Sequence, residues 1–355
     1  MSEPSPFSAS YAEARMRFLA ACAAAGANEM RTHRHPLRGP RGEALGTDAA
    51  WFGPHDAQAV LVTLSATHGV EGFTGSALQL DWVMRKARLP LPDGVAALHI
   101  HALNPHGFAW LRRVTEEGID LNRNFVDFAK PLPQNAGYAE LHQALLDGDD
   151  AALAAYRAQH GERALEIAVS GGQHTHPDGM FYGGRAPSWS RRTVEAVIAD
   201  FDLRRRATVA VIDIHTGLGE FGAGEVICDH PTGSAELARG KAWYGSVTEP
   251  ALGTSSSVPK TGLMDYGWMA ALGPAVTFVT LEFGTYSVEA MFRELRADQL
   301  LHRNGSPDWS DEDTRAVKER LKQHFCPDDA AWRDMILTRG RAVLDQAEKG
   351  LTSSS

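Results

Sequence analysis

The residues best placed to do chemistry are His68 and Glu71, which occur in the stretch LSATHGVEGFTG directly after the apolar run Ala59–Leu64. A neutral imidazole and a carboxylate three positions apart can bind one divalent cation if the backbone turns between them. Gly69 and Gly72 favour such a turn, because glycine adopts backbone dihedrals that other residues resist. The pair therefore predicts half of a metal site, which still needs a third ligand and a base.

Two further strand-like runs end in residues with complementary chemistry. ATVAVIDIH ends in His215, and VTFVTLEFG carries Glu282 near its end. Two histidines and one carboxylate with an open fourth position are typical of catalytic zinc sites. Zinc lowers the pKa of bound water to about 7, and Glu282 is the candidate base that takes the proton. Asp213 shares a strand face with His215, so it either orients that imidazole or is a buried acid satisfied by backbone amides.

A polar segment, RRVTEEGIDLNRNF at residues 112–125, offers the groups that such a centre would need around it. The planar guanidinium of arginine suits both a carboxylate and a developing oxyanion. Taken alone, the segment is equally compatible with a salt-bridged surface loop. It supports a catalytic site only in combination with the other motifs.

Two other histidine pairs compete for a metal. His33 with His35, and His99 with His101, each alternate along a strand-like run and would share one strand face. We interpret the first pair as solvated residues of an edge strand. The second pair lies inside its strand, whereas open α/β sheets place their chemistry just beyond the carboxyl ends of strands.

The glycine-rich stretch GLGEFG at residues 217–222 has the spacing of a dinucleotide-binding motif. Such a motif needs a helix to begin at its third glycine, but the sequence continues as the strand-like AGEVICDH. We therefore assign these glycines to loop flexibility beside His215 and predict no NAD site. No G-x-S-x-G elbow occurs in the sequence, which disfavours a serine hydrolase.

Composition narrows the remaining classes of protein. The 355 residues are 43% hydrophobic and 22% charged, with a formal net charge of -9, which argues against a nucleic-acid partner. Three widely spaced cysteines imply no disulfide framework and favour a cytoplasmic location. The N-terminus does not resemble a secretory signal, and no apolar run approaches the roughly 20 residues that span a bilayer, so we expect no membrane partner.

Strand-like and helix-like runs alternate along the chain, which predicts a parallel or mixed sheet with helices on both faces. No change of composition and no repeat divides the sequence, so we expect one domain over residues 1–355. Residues 1–50 should form a helix and short strands, and residues 286–355 should form helices packed on the rest. Residues 252–273 are predicted to form a loop.

Four of these motifs, in order along residues 60–286, resemble those of the zinc metallocarboxypeptidase superfamily. DLNRNF, preceded by an arginine and GI, resembles its signature, while THGVE and DIHT resemble its metal motifs and LEFG resembles the segment with its catalytic glutamate. GGQ followed by PDGMFYGG is most similar to an uncharacterised branch described as a domain of unknown function. The succinylglutamate desuccinylase/aspartoacylase branch is a relative. The resemblance implies a three-layer α/β/α fold with a central mixed sheet, like that of carboxypeptidases.

The resemblance also implies roles for the matching residues. His68, Glu71 and His215 would hold one zinc ion per chain, and Glu282 would be the general base.

Other matching residues would act on the substrate. Arg113 would polarise the scissile carbonyl, and Asn122 and Arg123 would hold the substrate's terminal carboxylate. Tyr266, in the predicted loop before the last strand, would correspond to the capping tyrosine of the digestive enzymes. The chain has Thr115 where the family usually has asparagine, and this departure leaves peptide-type specificity open.

The implied activity is carboxypeptidase-like, zinc-dependent hydrolysis of an amide bond next to a free carboxylate, in a small peptide or an acylated amino acid. An N-acyl-amino-acid deacylase of the aspartoacylase type would use the same residues. A metal-binding or ligand-binding relative without turnover is a further alternative. The loop at residues 173–184 departs from the digestive enzymes and is expected to shape or close the pocket.

Overall fold

Seven strands form a mixed sheet in the computed structural model, which describes residues 5–87, 89–303, 305 and 307–353. The strands are β1 (Glu29–Arg38), β2 (Ala44–Phe52), β3 (Ala59–Leu64), β4 (Val95–His101), β5 (Thr208–Phe221), β6 (Gly224–Ile227) and β7 (Val276–Gly284). Their order across the sheet is β1-β2-β4-β3-β5-β7-β6. β3, β4, β5 and β7 run parallel to one another, whereas β1, β2 and β6 are antiparallel to their neighbours.

Helices connect and flank the strands. They are α1 (Tyr11–Ala24), α2 (Gly72–Lys86), α3 (Pro105–Ala109), α4 (Ala136–Asp147), α5 (Asp150–His160), α6 (Glu162–Ser170), α7 (Trp189–Asp200), α8 (Ala235–Tyr244), α9 (Met264–Leu272), α10 (Val288–His302), α11 (Glu312–Phe325) and α12 (Ala330–Ser353). Within the described ranges, none of the helices combines the length and the apolar character that crossing a membrane would require.

Helices cover both faces of the sheet because successive strand residues point to opposite sides. Leu61 packs in one core cluster with residues of α1, α2 and α12. Val60 and Val62 pack in a second cluster with residues of α7 and α9. The predicted three-layer α/β/α architecture with a central mixed sheet is therefore confirmed.

The carboxyl ends of β3, β5 and β7 meet at one edge of the sheet, because these strands are adjacent and parallel. Leu64 of β3 lies opposite Asp213 of β5, and His215 of β5 lies opposite Glu282 of β7. From β3 the chain continues to β4 on one side, whereas β5 lies on the other side of β3. Ligand sites of open α/β sheets form at such a reversal of strand order. The fold thus brings the predicted site residues to the place where a crevice is expected.

Two predictions of secondary structure were wrong, one in the length of the strands and one in the type of element. Residues 29–52 form two long paired strands, β1 and β2, rather than short ones. Residues 264–272, predicted as loop, form α9, whose short length and internal Gly267 conceal the helical period in the sequence. One domain over residues 1–355 stays a prediction, and both ends of that range lie outside the described residues.

The glycine-rich stretch at residues 217–222 is also not a loop. β5 continues through it to Phe221, with an irregularity in its pairing to β7 between Gly217 and Phe221. The chain then turns at Gly222, with φ 76°, and enters the antiparallel strand β6. The third glycine therefore lies in the turn between β5 and β6, both of which pair with β7, rather than at the start of the helix that a dinucleotide motif requires.

Neither of the two competing histidine pairs joins His68, Glu71 and His215 in the described part of the chain. β1 is the edge strand, as expected, but His35 is buried at 6% exposure with Nε2 3.3 Å from Glu116, so its predicted solvation was wrong. His99 lies inside β4 as expected, whereas His101 is the last residue of that strand, and both are fully buried. His99 Nδ1 lies 2.7 Å from the Thr63 hydroxyl, and the His101 ring stacks on Phe18.

Because His99 and His101 are buried, their protonation should affect the stability of the folded chain. It lowers the pKa of His99 to about 3 and that of His101 to about 4. The unfolded chain protonates both below about pH 6.5, whereas the folded chain does not until about pH 4, so stability should fall as pH falls through that window. The expected slope from the pair is about 2.7 kcal/mol per pH unit. Urea unfolding between pH 4 and 7 of wild type and of a His99→Gln/His101→Gln variant should show the slope reduced in the variant, and equal slopes would contradict the assignment.

Candidate metal centre and active site

The turn after β3 holds His68 and Glu71 at the carboxyl edge of the sheet. A single turn of 3-10 helix, Gly69–Glu71, leads directly into α2. The backbone N–H of Gly69 donates to the carbonyl of Arg113 at 3.1 Å, so the segment at residues 112–125 braces this turn. A Cβ at position 69 would lie 2.1 Å from the carbonyl carbon of Gly107, so glycine is required there for close packing.

His68, Glu71 and His215 form one buried group. His68 Nδ1 lies 2.9 Å from Glu71 Oε1, and His215 Nδ1 lies 3.0 Å from both His68 Nδ1 and Glu71 Oε2. The three residues are 4%, 1% and 2% exposed, respectively. The structure therefore brings together the three predicted metal ligands, although His215 lies far from the other two in the sequence.

Asp213 orients the His215 imidazole. Its Oδ2 lies 2.6 Å from His215 Nε2, while its Oδ1 accepts a hydrogen bond from the Thr67 hydroxyl at 2.7 Å. Of the two interpretations left open by the sequence, the structure therefore supports the orienting one. Burial would lower the pKa of His215, but the charges of Asp213 and Glu71 raise it well above its usual value. The His215 imidazole thus holds a proton in the absence of a metal cation.

Two imidazole nitrogens and a carboxylate facing one another fit a zinc ion. Zinc takes these donors at about 2.0–2.2 Å, and separations near 3 Å between the donor atoms are compatible with one shared centre. Burial would raise the pKa of Glu71, but His68 and His215 hold it far below its usual value. The Glu71 carboxylate is therefore an anion that can bind a cation. Binding of the metal would displace the proton from the imidazoles.

Replacing Asp213 by asparagine should weaken zinc binding about 10-fold to 100-fold, because the neutral amide no longer supports the His215 imidazole as an anion does. The dissociation constant measured by competition with a chelator tests this. Asp298→Asn is a matched control, since Asp298 is also buried, at 3% exposure, but lies outside the site cavity. Equal affinity in wild type and Asp213→Asn would show that Asp213 has no orienting role.

His68 is held from its other nitrogen by Asp120 and Arg113. His68 Nε2 lies 3.2 Å from Asp120 Oδ1 and 2.8 Å from Arg113 Nη2. Arg113 also donates from Nε to Asp120 at 3.0 Å and from Nη1 to Glu71 at 3.2 Å. Burial would raise the pKa of Asp120, but Arg113 and Arg123 keep it well below its usual value. Asp120 was not singled out from the sequence, although it begins the DLNRNF motif.

Glu282 lies on β7 beside the metal-ligand group and lines the same cavity, whose volume is about 90 Å³. Its Oε1 accepts a hydrogen bond from the backbone N–H of Leu218 at 3.0 Å. Burial, and then the negative charge of Glu71, raise its pKa to about 7. A carboxyl group with such a pKa can both accept and release a proton near neutral pH.

Asn122 and Arg123 also line this cavity. The Arg123 guanidinium is 1% exposed and donates from Nε and Nη2 to the carbonyl of Ser170, at 3.1 and 2.7 Å, and from Nη1 to that of Asn122, at 2.6 Å. The Asn122 side-chain oxygen accepts from the backbone N–H of Met264 at 2.8 Å. Both side chains are therefore fixed in place before a ligand arrives.

Tyr266 is the predicted site residue that the structure does not bring to the cavity. It lies on α9 rather than in a loop, its side chain is 38% exposed, and it is not among the residues that line the cavity. The helix directs Met264 and Trp268 into the core and leaves Tyr266 outward, as helical spacing dictates.

Besides Glu166 of α6, three ionisable residues of the cavity were not found from the sequence: Asp229, Lys260 and Asp265. Burial lowers the pKa of Lys260 to about 7, and its ammonium donates to the carbonyl of Val258 at 2.9 Å. Burial, and then the charge of Asp229, raise the pKa of Asp265 well above its usual value. These residues come from the segment after β6 and from the start of α9, where the sequence has no recognisable motif.

The loop at residues 173–184 contributes Phe181 to the cavity wall. Gln173 and Tyr182 pair as an isolated bridge, which closes the loop on itself. The Phe181 ring lies 5.4 Å from the guanidinium carbon of Arg113 and 5.7 Å from that of Arg123. The loop thus shapes the pocket beside both arginines, which is one of the two roles predicted for it.

Residues 7–339 match the family described as "Protein of unknown function (DUF2817)". No curated protein matches the chain.

Solved structures provide a comparison of fold. Carboxypeptidase A from Helicoverpa armigera has a TM-score of 0.50 and 13% identity, covering 88% of this chain and 73% of that one. Thrombin activatable fibrinolysis inhibitor (TAFI) has a TM-score of 0.54 and 12% identity, covering 97% and 74%. A succinylglutamate desuccinylase from Chromobacterium violaceum reaches 0.37 and 14%, covering 88% and 74%, a score too low to support a conclusion. The first two show a shared fold, so the predicted carboxypeptidase-like fold is confirmed.

Proposed function

Because this chain belongs to the DUF2817 family, whose description leaves the activity open, we propose a function from the residues that the fold brings together. The proposal is a zinc-dependent, carboxypeptidase-like hydrolase that cleaves an amide bond next to a free carboxylate. One observation carries it: the buried group of His68, Glu71 and His215 shares a cavity with Glu282 and Arg113.

The metal ligands in this proposal are His68, Glu71 and His215, with His215 oriented by Asp213 and His68 by Asp120. A zinc ion held there would act as a Lewis acid toward the scissile carbonyl and would lower the pKa of water at the centre to about 7. Three protein ligands leave one position open, which is the arrangement of catalytic rather than structural zinc sites.

Glu282 is the proposed general base. Its carboxylate faces the cavity, and its raised pKa suits it to take a proton from the attacking water. It then delivers that proton to the leaving nitrogen, so that water is added across the amide bond and the base is regenerated. The hydrogen bond from the Leu218 N–H fixes one carboxylate oxygen during these transfers.

Arg113 is the proposed carbonyl-polarising residue. Its guanidinium is held by Asp120 through Nε, by Glu71 through Nη1 and by His68 through Nη2, and it lines the cavity. A fixed donor of this kind stabilises the negative charge that develops on the carbonyl oxygen.

Asn122 and Arg123 are the proposed binding site for the substrate's free carboxylate. Arg123 uses three donor atoms on backbone carbonyls, whereas a guanidinium has five N–H groups, so two N–H groups remain for a ligand. Lys260 adds an amine to the same cavity, which is a cation when it is protonated. The cytoplasmic location and a substrate that is either a small peptide or an acylated amino acid remain part of this proposal.

A panel of dipeptides and N-acyl amino acids, assayed with the zinc-loaded protein, tests the proposal. We expect hydrolysis that a chelator abolishes and that added zinc restores, and we expect much slower cleavage of the corresponding carboxamides, which lack the free carboxylate. Stoichiometric zinc binding without hydrolysis across the panel would instead favour the alternative of a metal-binding protein without turnover.

A further inference from the structure

A second cavity, of about 310 Å³, lies between α5, α6 and α10. Glu166, Val288 and Phe292 line both this cavity and the one that contains the candidate active site. The two cavities therefore share a wall of three side chains, with the active site on one side and the second cavity on the other. A substrate that extends beyond the active site past these side chains would enter the second cavity.

The inner surface of this second cavity is apolar. Leu145, Leu165, Val169 and Met180 are at most 6% exposed and line it from the protein interior. Its charged residues lie mostly at the outer edge, where Arg157 pairs with Glu162 at 2.6 Å. An occupant of the inner part would therefore contact mainly these apolar side chains, with Glu166 and Arg296 as the half-buried charged residues of the lining.

α5 covers the outer side of the cavity without being part of the core. None of its residues is buried, and Leu153 and Ala154 line the cavity from this helix. α5 also lies between Gly148 and Gly161, both with positive φ, at 72° and 89°. Leu153 and Tyr156 of α5 are partly buried against a core cluster, so the helix closes the outer side of the cavity.

We propose that this second cavity, the acyl cavity, binds the acyl chain of the substrate, so that the enzyme hydrolyses N-acyl amino acids with a linear, medium-length acyl group. The inference rests on the proposed function and selects one of its two substrate classes. Water is added across the amide bond, which releases a fatty acid and a free amino acid.

The chemistry of the lining favours an acyl chain over a peptide. A peptide in the acyl cavity would bring an N–H and a C=O group with every residue, and each would need a hydrogen-bond partner once buried. A hydrocarbon chain needs no such partner. At about 30 Å³ for a water-sized group, a volume of 310 Å³ has room for roughly ten such groups.

Hydrolysis of a series from N-acetyl to N-dodecanoyl, on one amino acid, tests the proposal. Burial of a methylene contributes roughly 0.8 kcal/mol, so kcat/KM should rise up to about fourfold per methylene until the cavity is full. Ala154→Trp should remove this rise while sparing the N-acetyl substrate, because tryptophan fills the cavity. Ala155→Trp is the matched control, since the neighbouring residue is exposed on the same helix and does not line the cavity.

Substrates extended by a peptide with apolar side chains, of about the same length as the acyl chain, test whether a peptide occupies the cavity instead. If Leu-Leu-extended substrates gain as much as decanoyl ones, the acyl cavity is a peptide subsite and the proposal is wrong. The proposal is equally wrong if kcat/KM is independent of chain length while short substrates are still hydrolysed, an outcome that leaves the proposed function intact.

Calorimetric binding of decanoate and butyrate to the metal-free protein separates the two proposals without using turnover. Six additional methylenes should tighten binding by up to about 10³-fold, and Ala154→Trp but not Ala155→Trp should remove the difference. This result would support the acyl cavity even if no amide were hydrolysed. Equal affinity for the two acids would overturn it.

Discussion

Replacing Glu282 by glutamine should lower kcat by a factor between about 10² and 10⁴, the range that a positioned general base supplies. The amide is nearly isosteric with the carboxylate and retains an oxygen that can accept from the Leu218 N–H, so the fold and the metal ligands should be undisturbed. Zinc content should therefore remain that of the wild type. Single-turnover kinetics with parallel metal analysis measures both quantities on the same preparation.

Glu294→Gln is the matched control for this experiment. Glu294 and Glu282 are both 8% exposed, but Glu294 pairs with Arg320 of α11 and does not line the site cavity. Its replacement should leave kcat close to that of the wild type. A Glu282→Gln enzyme with near-wild-type turnover would refute the assignment of Glu282 as the base.

The pH dependence of kcat/KM gives an independent signature of Glu282. The base must be ionised to accept a proton, and burial and Glu71 raise its pKa to about 7. A cation bound between Glu71 and the histidines would lower that pKa, so the acid limb should lie at or below about pH 7, with activity lost as pH falls through it. This limb should be absent from the residual activity of Glu282→Gln.

The sequence predicts where the site lies in the fold, but it does not identify all of the residues that line the site. β3 was predicted with its observed bounds, because a run of six residues, five of them apolar, between polar segments favours a buried strand. His68 and His215 could be assigned to strand ends for that reason. Their convergence could not be derived from local pattern alone, since it depends on β3 and β5 being neighbours in the sheet.

The residues that were missed depend on contacts made only in the folded chain. Lys260 lies in a serine-rich segment with no periodic pattern, and its burial comes from strands and loops far away in the sequence. Asp265 was placed in a loop because α9 is short and contains Gly267. The extension of β5 through its glycines was missed because pairing with β7, rather than propensity, holds that segment extended.

Removing any one of the side chains of His68, Glu71 and His215 should weaken zinc binding roughly 10²-fold to 10³-fold. Four-ligand zinc sites yield roughly 10–16 kcal/mol in total, so one ligand contributes a few kcal/mol, and each 1.4 kcal/mol is a factor of ten. The alanine variants are measured by competition with a chelator, and His142→Ala serves as a control because His142 lies outside the ligand group.

The three single variants together test whether the ligands share one ion. If His68, Glu71 and His215 converge on one centre, as their separations of 2.9–3.0 Å indicate, each variant should lose the same single zinc equivalent, and zinc should no longer raise its melting temperature. Unfolding of each metal-free variant separates this loss from general destabilisation, which should be largest for Glu71→Ala because it removes one of the two carboxylates that His215 and Arg113 each contact. Ligands that belonged to different sites would give variants that still bind one zinc ion tightly, and the hydrolase proposal would then lose its centre.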